Sequence, residues 1–290
     1  MNATATPTAV SVPDVRVRRR RGSGLGPGGL LSAGLLGAVL LLAVFGPLIA
    51  PQDPDALNLS QAYAGPSAAH PLGQDGNGRD LLSRLIVGAG TALIGPLLVV
   101  LAATAAGTAL ALAAVWYGGW FDAALAWVVD AVFAFPGLLL AILATALFGP
   151  GLPAAVVALA IAYIPYMARI VRGAALRERA LPYVAALRTQ GVRPVLICLR
   201  HILPNVAPLI VANATVSFGF AVIDLAALSF IGLGVQIPDA DWGAMVGGGL
   251  TGILQNHPQE SLYAGALIVA TVAAANLLGD RITERSEGRV

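Results

Sequence analysis

No lysine occurs in this 290-residue chain; all 17 basic residues are arginine. A phosphate-cradling loop ends in Gly-Lys-Ser/Thr, so the chain cannot build one. A Schiff-base lysine is excluded on the same ground. Cysteine is nearly absent: Cys198 stands alone, which rules out an internal disulfide and a cysteine-based metal cluster. His70, His201 and His257 lie far apart and show no metal-ligand spacing. Neither Gly-x-Ser-x-Gly nor His-Glu-x-x-His occurs, so the serine and zinc signatures of an intramembrane hydrolase are missing. Charge is scarce as well, at 11% of residues, where a soluble domain carries roughly 25%. No basic surface interleaved with aromatics is present, which speaks against nucleic acid as a partner.

What the sequence has is apolar length. It is 57% hydrophobic, and six runs stand out at 30–50, 91–115, 121–148, 152–171, 207–233 and 261–278. Each is near or above the ~20 residues that cross a ~30 Å hydrocarbon core. The expectation is an all-α polytopic membrane protein with six transmembrane helices. The first run is expected to be an anchor and not a cleaved signal, being too long for a signal core and lacking a small-residue cleavage site.

The arginines orient this arrangement. Arg16, Arg18, Arg19, Arg20 and Arg21 precede the first run, and Arg281, Arg285 and Arg289 follow the last. Arg172, Arg177, Arg179, Arg188, Arg193 and Arg200 cluster between the fourth and fifth, with Arg169 at the edge of that segment; Arg79 and Arg84 stand alone before the second. Basic residues stay inside, so both termini and the fourth connection are expected in the cytoplasm. Residues 1–29 then read as a disordered basic tail, 30–278 as the transmembrane domain, with a cytoplasmic loop at 172–204, and 279–290 as a C-terminal tail.

That loop contains "YVAALRTQGVRPVLICLRHILPN" at 183–205. Pro182 suits a first helical turn, Gly191 the left-handed position past a helix end, Pro194 a second start, and Pro204 its stop. Tyr183 and Leu187 share a face at i, i+4, Ala185 and Ala186 permit close approach, and Arg188 flanks them. These features alone fit either an amphipathic helix lying on lipid phosphates or a docking element.

Other features also carry two readings. Asp130 and Asp224 lie inside predicted spans, where acids face a water-filled path or are satisfied structurally. Asn213, Thr215 and Ser217 are polar positions of the fifth span. Pro136 and Pro165 predict kinks that serve gating or packing. Arg79, Asp80 and Arg84 either receive an outer partner or pair locally and cap a helix. Gly232, Gly234 and the glycines at 247–249 suggest outer turns. Trp116, Trp120 and Trp242 fall at expected interfaces, and Trp127 is expected to pack more deeply.

Five stretches in order carry a family resemblance: "HPLGQDGNGRDLLSRLIVGAG" at 70–90, "VVDAVFAFPGLLLA" at 128–141, "IPYMARIVRGAALRERALPYV" at 164–184, "LSFIGLGVQIPDADWGAM" at 228–245 and "NLLGDRI" at 276–282. With the Ala185-Ala186…Gly191…Ile202-Leu203-Pro204 pattern, they resemble permease subunits of bacterial ABC importers, specifically the second permease of dipeptide/oligopeptide systems. The family's loop glutamate is Ala185 here, its third loop position is Leu187, the acid expected at Leu225 lies one place earlier at Asp224, and an arginine usual near Gly90 is missing. The resemblance implies that Tyr183, Val184, Ala185, Ala186, Leu187, Arg188 and Gly191 form a coupling helix for a separate ATPase. It implies a heterodimer with a homologous permease, two ATPase subunits that use ATP and Mg, an extracytoplasmic binding protein and a peptide substrate. No cofactor is expected on this chain. The path would run past Asp130, Asp224, Asn213 and Ser217 in the bacterial plasma membrane. The alternatives are a nickel or other small-solute importer of this type, or a proton-driven secondary transporter using Asp130 or Asp224. The latter predicts an internal repeat, and none is visible.

Overall fold

The computed structural model describes residues 26–287, so the arginines at 16–21 and most of the predicted tail lie outside them. Eleven α-helices run through the described residues, which contain no strand: α1 Gly26–Ile49, α2 Leu81–Tyr117, α3 Gly119–Phe133, α4 Gly137–Phe148, α5 Leu152–Arg179, α6 Pro182–Thr189, α7 Pro194–Ile197, α8 Leu203–Phe230, α9 Trp242–Gly248, α10 Leu250–Leu254 and α11 Gln259–Glu287. Five segments are long and apolar enough to cross a membrane, six if α3 and α4 together form one crossing.

The kink expected at Pro136 within the span at 121–148 is here a full break between two helices. α3 and α4 meet at 76° around Ala134–Pro136. Pro136 lacks an N–H and disfavours helical backbone at Phe135, so the helix stops and restarts at Gly137. Other helices outrun their apolar stretches. α2 has 37 residues, about 55 Å, and begins ten residues before the predicted span. Its first turns contain Ser83 and Arg84, polar residues that a hydropathy reading leaves out, but both are buried. Pro204 does not stop a helix. A π-helical turn at Cys198–Ile202 carries α7 into α8, with the Leu203 amide donating back to Cys198 O, and Pro204, which has no N–H to donate, follows directly on that wider turn.

α2 is the central post, packed against α5, α1 and α8. Its length separates two polar ends. At one end the segments 51–80 and 234–258 form a cap. Asp80 is the N-cap of α2 and accepts from the Ser83 amide at 2.8 Å and its hydroxyl at 2.7 Å; His70 Nδ1 lies 3.0 Å from the same carboxylate. Arg79 Nε donates to Asp75 at 2.7 Å. Arg84 Nη1 donates to Pro54 O at 3.0 Å and Asp55 at 3.1 Å, and approaches Pro238 O at 3.4 Å. One guanidinium thereby ties the cap's two segments to α2.

Trp242 sits at the base of this cap and is fully buried among the chain's own residues; its Nε1 donates to Leu85 O at 2.9 Å. Of the glycines predicted to make turns, Gly232 (φ +79°) and Gly234 lie in the turn after α8, whereas Gly247 and Gly248 belong to α9 and Gly249 to its end; within α9, Gly243 and Gly247 permit close packing. A Cβ at Gly243 would stand 2.4 Å from Ala226 O, and one at Gly247 2.6 Å from Phe230 O. Trp127, expected to pack, is 72% exposed on α3.

Candidate functional site

At the far end of α2 the chain builds an elbow. The buried side chains of Leu112, Val115, Val171, Ala175, Val184 and Ile202 form one cluster there, with Trp116, Tyr183 and Leu187 packed on it. It joins α2, α5, α6 and the start of α8. Gly191 closes α6 at φ +75°, a conformation that suits glycine.

The seven residues expected to dock are divided by the fold. Val184 is 1% exposed and plugs the cluster, so its side chain has nothing to offer a partner. The reason is helical period: Val184 and Leu187, at i and i+3, share the inward face. Tyr183 is half-buried beside them. Ala185, Ala186, Arg188 and Gly191 face outward.

Three polar side chains clamp the elbow. The Tyr183 hydroxyl donates to Glu178 Oε1 at 2.7 Å, and Asn205 Nδ2 donates to the same oxygen at 2.6 Å and lies 3.3 Å from the Tyr183 oxygen. Glu178 ends α5, Tyr183 begins α6 and Asn205 begins α8, so the clamp fixes α6 to both long helices. The Arg179 and Arg188 guanidinium groups lie 5.5 and 4.9 Å from the Trp116 ring centre.

Burial and the neighbouring Glu178 carboxylate push the Tyr183 phenol up to about 12. Its folded value lies above the ~10 of a free tyrosine. The clamp's contribution is therefore complete below pH ~10 and is lost as pH rises through about 12. The difference in ultraviolet absorbance between wild type and Tyr183→Phe is expected to titrate near 12; a midpoint at 10 contradicts the clamp.

A second set of polar groups recurs on α5 at i, i+3 spacing, Tyr163, Tyr166, Arg169 and Arg172, a stripe that at about 100° per residue winds around the helix from its α8 side to its α3 side. Tyr163 donates to Asp224 Oδ2 at 2.8 Å and Tyr166 to Asn213 Oδ1 at 3.2 Å, both on α8. Arg169 Nη2 meets Asp130 at 2.6 Å, and Arg172 bonds both oxygens of Asp122 at 2.6 and 2.5 Å, both on α3. The lower two rungs border a cavity of about 310 Å³ lined by Ala111, Ala114, Val129, Asp130, Arg169 and Arg172. At ~30 Å³ per water, that space, walled mostly by apolar residues with three charged side chains among them, is large enough for several water molecules.

Of the residues assigned to a path, Asp130, Asn213 and Asp224 thus fall on this stripe. Ser217 is buried in α8. Arg79, Asp80 and Arg84, offered as an outer contact, are all buried and engaged within the cap, so they hold the cap together and present no surface.

Sequence reading passed over Tyr163, Tyr166, Asp122, Glu178 and Asn205. The first two were detectable as polar residues three apart in an apolar run. Glu178 and Asn205 are 27 positions apart, and only the fold brings them together.

Comparison with known proteins follows the same geometry. Residues 103–290 match the family described as "Binding-protein-dependent transport system inner membrane component", and 27–66 match "N-terminal TM domain of oligopeptide transport permease C". The chain is 36% identical to the dipeptide transport system permease protein DppC of Alkalihalophilus pseudofirmus, over 86% of this chain and 82% of the relative. It is 38% identical to the glutathione transport system permease protein GsiD of Pectobacterium atrosepticum, over 88% and 85%. It is also 38% identical to the probable D,D-dipeptide transport system permease protein DdpC of Escherichia coli, over 87% and 85%. Among solved structures, one of the MetNI methionine ABC transporter in inward-facing conformations superposes with a TM-score of 0.54 at 21% identity, over 71% of this chain and 97% of that one; this similarity is one of fold.

Proposed function

The chain belongs to the family of binding-protein-dependent transport system inner membrane components, and from that premise we propose that it is one permease half of an ATP-driven peptide importer. The observation that carries this reading is the elbow. A short helix is clamped between two span-length helices, with small and basic residues facing outward, a shape suited to being gripped and moved as a unit. Ala185, Ala186, Arg188 and Gly191 are the docking surface for a separate ATPase, and Tyr183, Val184 and Leu187 transmit its motion inward. The absence of lysine supports hydrolysis in trans, with ATP and Mg held by the ATPase and no cofactor on this chain.

In this reading both termini and the elbow lie in the cytoplasm, and the cap faces outward to receive a substrate-binding protein. The assembly holds a homologous permease and two ATPases. Asp130, Asn213 and Asp224, the partners of the α5 stripe on α3 and α8, border the path between the two permeases. Charged and polar side chains half-exposed at span depth avoid lipid and face water or protein. A peptide substrate is supported by three relatives named for dipeptides, glutathione and D,D-dipeptides.

The test is uptake of a labelled dipeptide by membrane vesicles carrying the whole system. Vanadate is expected to abolish it, and an uncoupler with ATP held constant to leave it intact. The opposite pattern, collapse with the uncoupler and indifference to vanadate, identifies ion-driven secondary transport through Asp130 or Asp224 instead.

A further inference from the structure

The four rungs of the α5 stripe differ in charge. Arg169 with Asp130 and Arg172 with Asp122 are each neutral ion pairs, and Tyr166 with Asn213 is uncharged. Asp224 alone has no basic partner among the described residues; its one side-chain contact is the Tyr163 hydroxyl. A phenol shares a hydrogen bond with a carboxylate but does not cancel its charge. The Tyr163 rung therefore holds the one acid of the set whose charge, when ionised, no described basic group compensates.

The rung is also open. Asp224 is only half-buried, and Phe220 and Ile223 beside it are exposed. An ionised carboxylate on a span-length apolar helix is costly opposite lipid and is favoured opposite water or a cation. Its geometry suits one cation in particular. Tyr163 occupies Oδ2 and leaves Oδ1 free, and the Tyr163 oxygen, while donating, keeps lone pairs with which to accept. A primary ammonium has three N–H donors and can bond both acceptors at once.

We infer that the Tyr163–Asp224 pair is the site that takes the ammonium group of the permeant, a peptide with a free amino terminus. This rests on the peptide-importer reading for the identity of the ligand. The site itself rests on the geometry of α5 and α8. A basic side chain of the partner permease is the other possible cation, and the experiment separates the two.

The probe is a cysteine placed one turn from the carboxylate, Phe220→Cys, in the complete transporter in lipid nanodiscs. Cys198 is buried and stays in place, with the chain lacking Phe220→Cys as the background. Labelling rates are compared for a trimethylammonium-ethyl and a sulfonato-ethyl methanethiosulfonate, each normalised to a free thiol. The cationic reagent is expected to react about tenfold faster or more, and Asp224→Asn is expected to bring the two rates together. A saturating dipeptide with a free amino terminus slows the cationic reagent, and its N-acetyl counterpart does not. Ala227→Cys, on the other flank of Asp224, repeats the measurement if Phe220→Cys does not fold.

Equal rates in the otherwise wild-type protein overturn the inference, and are the result if a partner's basic side chain already fills the site. A preference that survives Asp224→Asn overturns it too, as does equal protection by the free and N-acetylated peptides. Failure of ATP-driven uptake counts against the importer reading, whereas the labelling preference decides the cation site by itself.

Discussion

Replacing Ala185 and Ala186 together by tryptophan is expected to strip the ATPase from the purified transporter, weakening its association at least about 100-fold, or about 3 kcal/mol. Both alanines are exposed on α6, so two indole rings there project mainly into the space a partner would occupy. The plug made by Val184 and the clamp of Glu178, Tyr183 and Asn205 lie on the other side of the helix and stay intact. Deleting α6 is a poorer test, because it would also remove Val184 from the cluster. The measurement is the amount of ATPase recovered with a tagged permease, alongside the melting temperature of the permease in detergent. Loss of ATPase with unchanged melting is the expected pair of results. If α6 instead lies on lipid, with its arginines facing phosphates, the rings will strengthen membrane binding and the ATPase will remain.

The second large effect concerns stability. Trp242→Ala is expected to cost about 3–5 kcal/mol, because a fully buried indole is removed from a cluster that includes Leu81, Leu85, Ala89, Val222 and Met245. Trp242→Phe keeps most of the volume but loses the donation to Leu85 O, and should cost about 1 kcal/mol. Thermal unfolding followed by fluorescence, with the two variants side by side, separates packing from hydrogen bonding. Equal shifts for both contradict the account of the cap's base. Trp242 stands next to Asp241, which caps α9 by accepting from the Ala244 amide at 3.0 Å. Burial pushes that carboxyl up, and the bonds it accepts pull it back. Substitutions at Asp241 and Trp242 should therefore not be additive.

Hydropathy found the spans because their lipid-facing residues are apolar over the required length. It misplaced the start of α2 because that turn is buried by the chain's own cap, so that polar residues such as Ser83 and Arg84 lie inside the fold; α5 and α8 run past their apolar stretches into the elbow through exposed polar residues such as Arg177 and Asn205. Pro136 announced a kink, but whether the helix would bend or break depended on what packs against it. The elbow was legible as a helix from Pro182 and Gly191; which residues turn outward required knowing that Val184 fills a hole between α2 and α8. The stripe on α5 was present in the sequence as polar residues every third position. Its partners on α3 and α8 were not, since no local rule couples Tyr163 to Asp224 across 61 positions.

The most direct test of the central claim, that this chain is moved by an ATPase gripping α6, is peptide accumulation in proteoliposomes of defined composition. With both permeases, the ATPases, loaded binding protein and ATP, wild type should concentrate dipeptide, and the Ala185→Trp/Ala186→Trp form should not. Accumulation against a gradient by the permeases alone, with no ATPase present, would contradict it.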